Sequence, residues 1–350
     1  MTKKLISKFA IACTVAVVAL AAPVENAKAE PIAKKLFGAK RDAAALKPAV
    51  HGSYAKGCVA GAARLPDDGP NWQAMRLSRN RHWAHPELIN TVIKLSQDGK
   101  KVGWNGLLVG DLTQPRGGPM LTGHASHQAG LDADVWLTPM PDRRLTRKER
   151  EQLSATSMLA RRSNGKLTNQ KLDNRRFTKA HAGIIRTAAQ YGNVERIFVH
   201  PTIKRELCRQ YPSKPGWLKK VRAQFGHHYH FHIRIGCPQG SPGCKPQRAV
   251  PSYGCDKATM DYWFKVAYGP PRKPKPGAKP KPRKPKRQIR MGDLPQACRV
   301  VLNAPGYNGA LDTVPNTAFV ATAQPSPAEA ATQFATIGDV VTKPTFRPNN

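Results

Sequence analysis

One stretch constrains this chain more than any other: GHHYHFHIRI, residues 226–235. Polar and apolar residues alternate along it, which predicts a strand over 228–236. Strand side chains alternate between faces, so His228, His230 and His232 are predicted to point one way and Tyr229, Phe231 and Ile233 the other, toward a core. His227 falls at the turn before the strand. The chain has 11 histidines, and four of them lie in this segment. A strand with one apolar face and one imidazole face needs a packed layer on one side and a cleft on the other.

A second cluster lies upstream, GHASHQAGLDADVWL at 123–137. His124 and His127 precede a glycine bend at Gly130. Asp132, Asp134 and Trp136 then share one face of a predicted strand over 131–137. Neutral imidazole and carboxylate are good zinc ligands, and a catalytic zinc keeps three protein ligands and an open position. His127, Asp134 and one histidine of the downstream cluster would supply those three. The alternative, in which Asp134 only orients a histidine and no metal binds, leaves six histidines crowded into two segments without purpose.

The chain opens MTKKLISKFAIACTVAVVALAAPVENAKAEP. A basic start, an apolar run over Phe9 to Ala22 and a small-residue site at Ala27-Lys28-Ala29 predict a signal peptide over 1–29, cleaved after Ala29. The apolar run is shorter than the roughly 20 residues a spanning helix needs, so no membrane insertion is expected after cleavage. Export predicts disulfides among the six cysteines left after Cys13 departs. The formal charge of +35 draws the chain to polyanions, and although charge alone does not choose among them, an exported protein more often meets cell wall, anionic lipid or outer-membrane polysaccharide than nucleic acid.

Residues 30–54 are Ala/Lys-rich without a period and read as a loose arm, and 55–268 reads as the folded domain. Helical spacing marks 86–97 and 177–192, and Thr146 to Glu149 is a capping box opening a helix that runs toward Ala160. Strands are predicted over 104–112 and from 194 to the residue before Pro201. A Pro/Lys/Arg-rich linker spans 269–292, a segment carrying Cys298 spans 293–301 and is expected to dock on the domain, and 302–350 reads as a disordered tail. The expected fold is α+β: a small antiparallel sheet carrying the zinc site, flanked by helices and stapled by disulfides.

The segments TGHASHQAGLDAD (122–134), RIFVHPTIKRELC (196–208) and WLKKVRAQFGHHYHFHIR (217–234) resemble those of the penicillin-insensitive murein endopeptidases. These belong to a wider zinc peptidase group with lysostaphin-type enzymes, D-Ala-D-Ala carboxypeptidases and the hedgehog signalling domain. The resemblance runs from about Gly57 to Cys298. It implies one zinc ion held by His127, Asp134 and His232, with His124 at or beside it. It implies His230 as general base or charge stabiliser, and His227 as a neighbour that contacts substrate or a ligand. It also implies the pairs Cys58–Cys298, Cys208–Cys255 and Cys237–Cys244. The implied substrate is the peptide cross-bridge of peptidoglycan, cleaved in the periplasm. Where some relatives carry a second metal pair, SNGKLTN (163–169) offers Asn164 and Leu167, so no second metal is expected. Arg116 and Arg79 are candidates for holding substrate carboxylates, although both read more readily as ordinary surface arginines; His200 receives no role.

Three other readings compete. A zinc D-Ala-D-Ala carboxypeptidase would share the metal motif. A non-catalytic basic binder of wall polymer or nucleic acid would need stacking aromatics along a basic face, whereas Trp72, Trp83 and Trp104 are scattered like core residues. A serine peptidase would use Ser163-Asn-Gly-Lys166, but Asn164-Gly165 reads as a turn and no Lys-Thr-Gly follows.

Overall fold

The computed structural model describes residues 30–269 and 287–307. The expected signal segment, linker residues 270–286 and tail residues 308–350 lie outside the described residues. Two elements open the chain: α1 (Ala33–Gly38) and a hairpin of β1 (Ala49–Ser53) and β2 (Lys56–Ala60). The strands β3 (Asp68–Gly69) and β4 (Trp72–Ala74) are followed by α2 (Pro86–Asp98), β5 (Leu107–Val109) and β6 (Asp132–Trp136). Then come α3 (Arg147–Gln152), a hairpin of β7 (Leu159–Arg161) and β8 (Leu167–Leu172), α4 (Lys179–Gln190) and β9 (Val194–Val199). Next are α5 (Pro201–Gln210), β10 (Val221–Ala223) and β11 (His230–Ile235), and α6 (Ala297–Asn303) lies near the end of the described chain.

The fold is α+β, but its sheet is neither small nor wholly antiparallel. Seven strands run in the order β10-β9-β11-β6-β5-β4-β3, with β9–β10 and β4–β5 parallel. The reason lies in the connections. Parallel neighbours need a crossover, and helices supply it: α2 lies between β4 and β5, and α5 between β9 and β10. The helical period over 86–97 therefore implied a parallel join as well as a helix. Both helices start at proline, and a histidine caps each: His85 accepts from the Glu87 amide and His200 from that of Thr202.

The core is one layer of apolar side chains between sheet and helices. Leu88, Val92 and Leu95 of α2 and Ile184, Ile185 and Ala188 of α4 pack with Ala133, Val135, Phe231, Ile233 and Ile235 of the two central strands. Trp104 is fully enclosed in the same layer. The helix expected to run from Thr146 toward Ala160 stops at Gln152, although its capping box is present. Leu153 leaves helical backbone, and β7 occupies the end of the expected span.

The arm expected to be loose over 30–54 is instead packed. Phe37 and Ala44 join Cys58, Met291, Leu294, Cys298 and Val301 in a second apolar cluster. The Cys58–Cys298 disulfide crosses this cluster and closes a loop with a sequence separation of 240. Crosslinks that close long loops restrict the unfolded chain most, stabilising by about 5–6 kcal/mol on the chain-entropy account. Cys208–Cys255 and Cys237–Cys244 complete the pairs that the resemblance implied.

Candidate metal centre

Strands β6 and β11 pair antiparallel with Asp134 opposite His232, Trp136 opposite His230 and Asp132 opposite Arg234. That register places carboxylate and imidazole side by side on the face turned away from the core. The loop entering β6 then brings two more imidazoles over the same carboxylate. Gly130 lets it do so: its φ is +69, and a Cβ there would meet the His85 backbone and the Val59 side chain at 3.1 Å. His127 is itself left-handed at φ 66, which is uncommon for a residue with a side chain. Its amide donates to Asp132 Oδ2 at 2.9 Å and its Nδ1 to the Leu112 carbonyl at 2.6 Å.

Three rings around Asp134 follow one rule. Each spends one nitrogen on a protein acceptor and aims the other at the carboxylate. His127 Nε2 lies 3.4 Å from Asp134 Oδ1. His232 donates Nε2 to Asp132 Oδ1 at 2.9 Å, which leaves Nδ1 3.4 Å from Asp134 Oδ1. His124 donates Nε2 to Asp111 Oδ2 at 3.1 Å, which leaves Nδ1 3.6 Å from Asp134 Oδ2. The fourth ring, His230, brings Nε2 to 3.5 Å from Asp134 Oδ1. His227, also left-handed at φ 54, lies beside His230 with ring centroids 4.8 Å apart and the rings tilted by 45°.

Buried polar atoms are normally hydrogen-bonded. Here His127 Nε2, Asp134 Oδ1 and His230 Nδ1 are buried and have no partner in the protein. Atoms of His124, His127 and Asp134 lie within 4.8 Å of one another, close enough to share an ion. Unspent lone pairs of imidazole and carboxylate, aimed at one point and fixed from behind, are the donor set of a divalent transition metal. The residues present therefore fit such an ion.

The electrostatics split the rings: burial opposes a charge on His127, but the neighbouring Asp134 and Asp132 carboxylates overcome it and raise that ring above its ordinary value, so an ion bound there would displace its proton. Burial pushes the rings of His230 and His232 down, to about 3 and about 4, so both are neutral as ligation requires. Burial alone would raise the Asp134 carboxyl, but the surrounding imidazoles reverse this and hold it well below the usual carboxylate range. Behind the rings, Asp132 is bound by His232 and by Arg234, whose Nε donates at 2.6 Å and Nη2 at 3.1 Å.

The sequence profile of the penicillin-insensitive murein endopeptidase family matches residues 50–303. The chain belongs to that family. It is 39% identical over 260 residues to the penicillin-insensitive murein endopeptidase of Haemophilus influenzae, covering 73% of this chain and 82% of that one. The proteins of the same name from Salmonella heidelberg and Klebsiella pneumoniae are each 36% identical, with 72% of this chain and 85% of theirs covered.

Against this family background, the predicted site residues His124, His127, Asp134, His227, His230 and His232 all come together. Two neighbours do not behave as the alternation predicted. The strand begins at His230, so His228 turns to the Ser157 hydroxyl at 2.9 Å rather than into the centre. Tyr229, predicted to face the core, is 39% exposed and borders a cavity beside His230. Arg116 is not a substrate contact. It is 2% exposed and donates to the carbonyls of Val301, Leu302 and Ala304 and to Asp42, which holds the end of α6. Sequence reasoning missed Asp111. This carboxylate is buried just past β5 and receives His124, Arg79 and Arg81. An acidic residue ending an apolar strand in VGDL was the only signal.

Two cavities meet at the centre. One of about 340 Å³ has Asp134, His230, Tyr229 and Arg79 on its wall. The other, of about 800 Å³, is bordered by His232, His227, Phe198 and Phe225. His124 belongs to both.

Proposed function

We propose that this protein is a zinc-dependent DD-endopeptidase that hydrolyses the D-alanyl–meso-diaminopimelyl cross-bridge of peptidoglycan in the periplasm. The convergence of His127 Nε2, His232 Nδ1 and the Asp134 carboxylate, each with a donor atom unspent, carries the reading. Those three residues would hold one zinc ion, with His124 at its side. When bound, zinc supplies Lewis acidity that polarises the scissile carbonyl and makes hydroxide available near neutral pH.

The remaining chemistry belongs to the chain. His230 is neutral and buried, borders the smaller cavity, and has a buried Nδ1 without a protein partner. It takes a proton from the attacking water and delivers one to the departing amine, a role typically worth about 10²–10⁴-fold. Asp132 fixes the His232 tautomer and the His127 backbone together. Penicillin insensitivity follows, because no serine attacks and a β-lactam finds no nucleophile to acylate. Ser163 is exposed at the turn between β7 and β8, far from a serine-peptidase setting. Two cavities share His124 at the centre and give room for a substrate larger than a terminal dipeptide, which favours an endopeptidase over a carboxypeptidase.

Digestion of purified cross-linked muropeptides tests the reading. Zinc-replete protein is expected to convert dimers to monomers, and a chelator to stop it. Release of terminal D-alanine alone would point to a carboxypeptidase, and no turnover by zinc-replete protein would point to a non-catalytic binder.

A further inference from the structure

The chemistry above leaves Arg76 and Arg79 without a task. They sit at a three-residue turn, Leu77–Arg79, bracketed by Arg76 and Asn80, both left-handed at φ 61 and φ 51. Left-handed backbone at residues with side chains clusters where a side chain must be aimed. Arg76 is locked: Nη2 donates to the Leu153 carbonyl at 2.6 Å, Nη1 to that of Arg150 at 3.4 Å, and the guanidinium lies 5.6 Å over the Trp136 ring. None of those partners is an anion. Arg79 donates Nη1 to both oxygens of Asp111, at 3.1 and 3.3 Å, while Arg81 takes the same carboxylate at 2.9 Å. One carboxylate thus faces two guanidiniums, and the Arg79 side chain is still 47% exposed.

Both arginines face the smaller cavity, which also has Asp134 and His230 on its wall. The larger cavity has Arg234, already committed to Asp132, and Lys245, an exposed lysine without a guanidinium fork. The proton donor to the departing amine, His230, belongs to the arginine side.

We propose that Arg79, braced by Asp111 and assisted by Arg76, is a specificity-determining residue that binds a carboxylate on the carbon bearing the scissile nitrogen. This inference rests on the endopeptidase reading and deepens it: the departing diaminopimelyl amine carries such a carboxylate on the same carbon. A planar guanidinium fork matches that group two bonds at a time.

The test compares two cross-linked dimers that are identical except at that position, one with a free carboxylate and one with a primary carboxamide. With zinc-replete protein, kcat/KM for the carboxylate dimer is expected to exceed that for the carboxamide by about 10–100-fold, the range for a hydrogen bond to a charged partner. Arg79→Gln is expected to bring the ratio near one by slowing the carboxylate dimer alone. Arg79→Lys should keep part of the ratio, and Arg76→Gln should lower it less. A misfolded fraction slows both dimers equally, so it leaves the ratio unchanged. Equal rates for wild type, or an unchanged ratio in Arg79→Gln, would overturn this proposal alone. Cleavage of neither dimer would overturn the endopeptidase reading and this proposal with it.

Discussion

Strands β6 and β11 are paired along their length, yet their two faces are built by opposite rules. On one face Ala133, Val135, Phe231, Ile233 and Ile235 are fully enclosed within the apolar core. On the other, Asp132, Asp134, His230, His232 and Arg234 are nearly as buried, at 0–7% exposure, but Asp134 and His230 keep atoms with no partner. Burying polar groups without partners is costly, so the second face is not the arrangement that stability alone would select. The first face holds the sheet to its helices. The second makes sense once an ion completes it.

If that division is right, substitutions on the two faces should fail differently. The largest effect is expected at Asp134. Asp134→Ala should lose metal and slow dimer cleavage by more than about 10⁴-fold, since nucleophile and Lewis acid go together. Elemental analysis beside turnover checks this, and an active, metal-replete variant would break the comparison. On the apolar face, Phe231→Ala should cost about 3–5 kcal/mol in denaturant unfolding, with turnover per folded molecule preserved.

Acid sharpens the contrast in the metal-free protein. His85 and His200 lie outside the centre and are pushed by burial down to about 4 and about 3. Their unfolded value is about 6.5, so below pH 6.5 the unfolded chain binds more protons and stability falls as pH falls. Each should contribute a loss of about 3 kcal/mol by pH 4. Replacing both with Asn, which preserves helix capping, should flatten the slope of unfolding free energy between pH 6.5 and 4. An unchanged slope would mean that these two rings are not the source. The smallest effect is expected at Asp132→Asn, which disturbs the support and leaves the ligands in place: metal affinity should fall about 10–100-fold in a competitive chelator titration.

Much of this was legible in the sequence because it is local. Alternation around Phe231 and Ile233 marked a buried face, and two His/Asp clusters marked a centre. What escaped depends on distant pairing. Nothing local says that His232 stands opposite Asp134, because register is set by the whole sheet. Arg116 looked like a surface cation until α6 offered it three carbonyls, from residues beyond 300. The 30–54 segment has too short a pattern to show that Phe37 packs under the Cys58–Cys298 crosslink. His228 and Tyr229 depart from the alternation because the strand starts one residue after them.

The most direct test of the central claim is an anomalous-scattering map from crystals of the zinc-loaded protein, recorded on both sides of the zinc edge. The account predicts one strong zinc peak within coordinating reach of His127 Nε2, His232 Nδ1 and the Asp134 carboxylate. Zinc-loaded crystals with those side chains in place and no peak among them, or with the peak elsewhere, would contradict it.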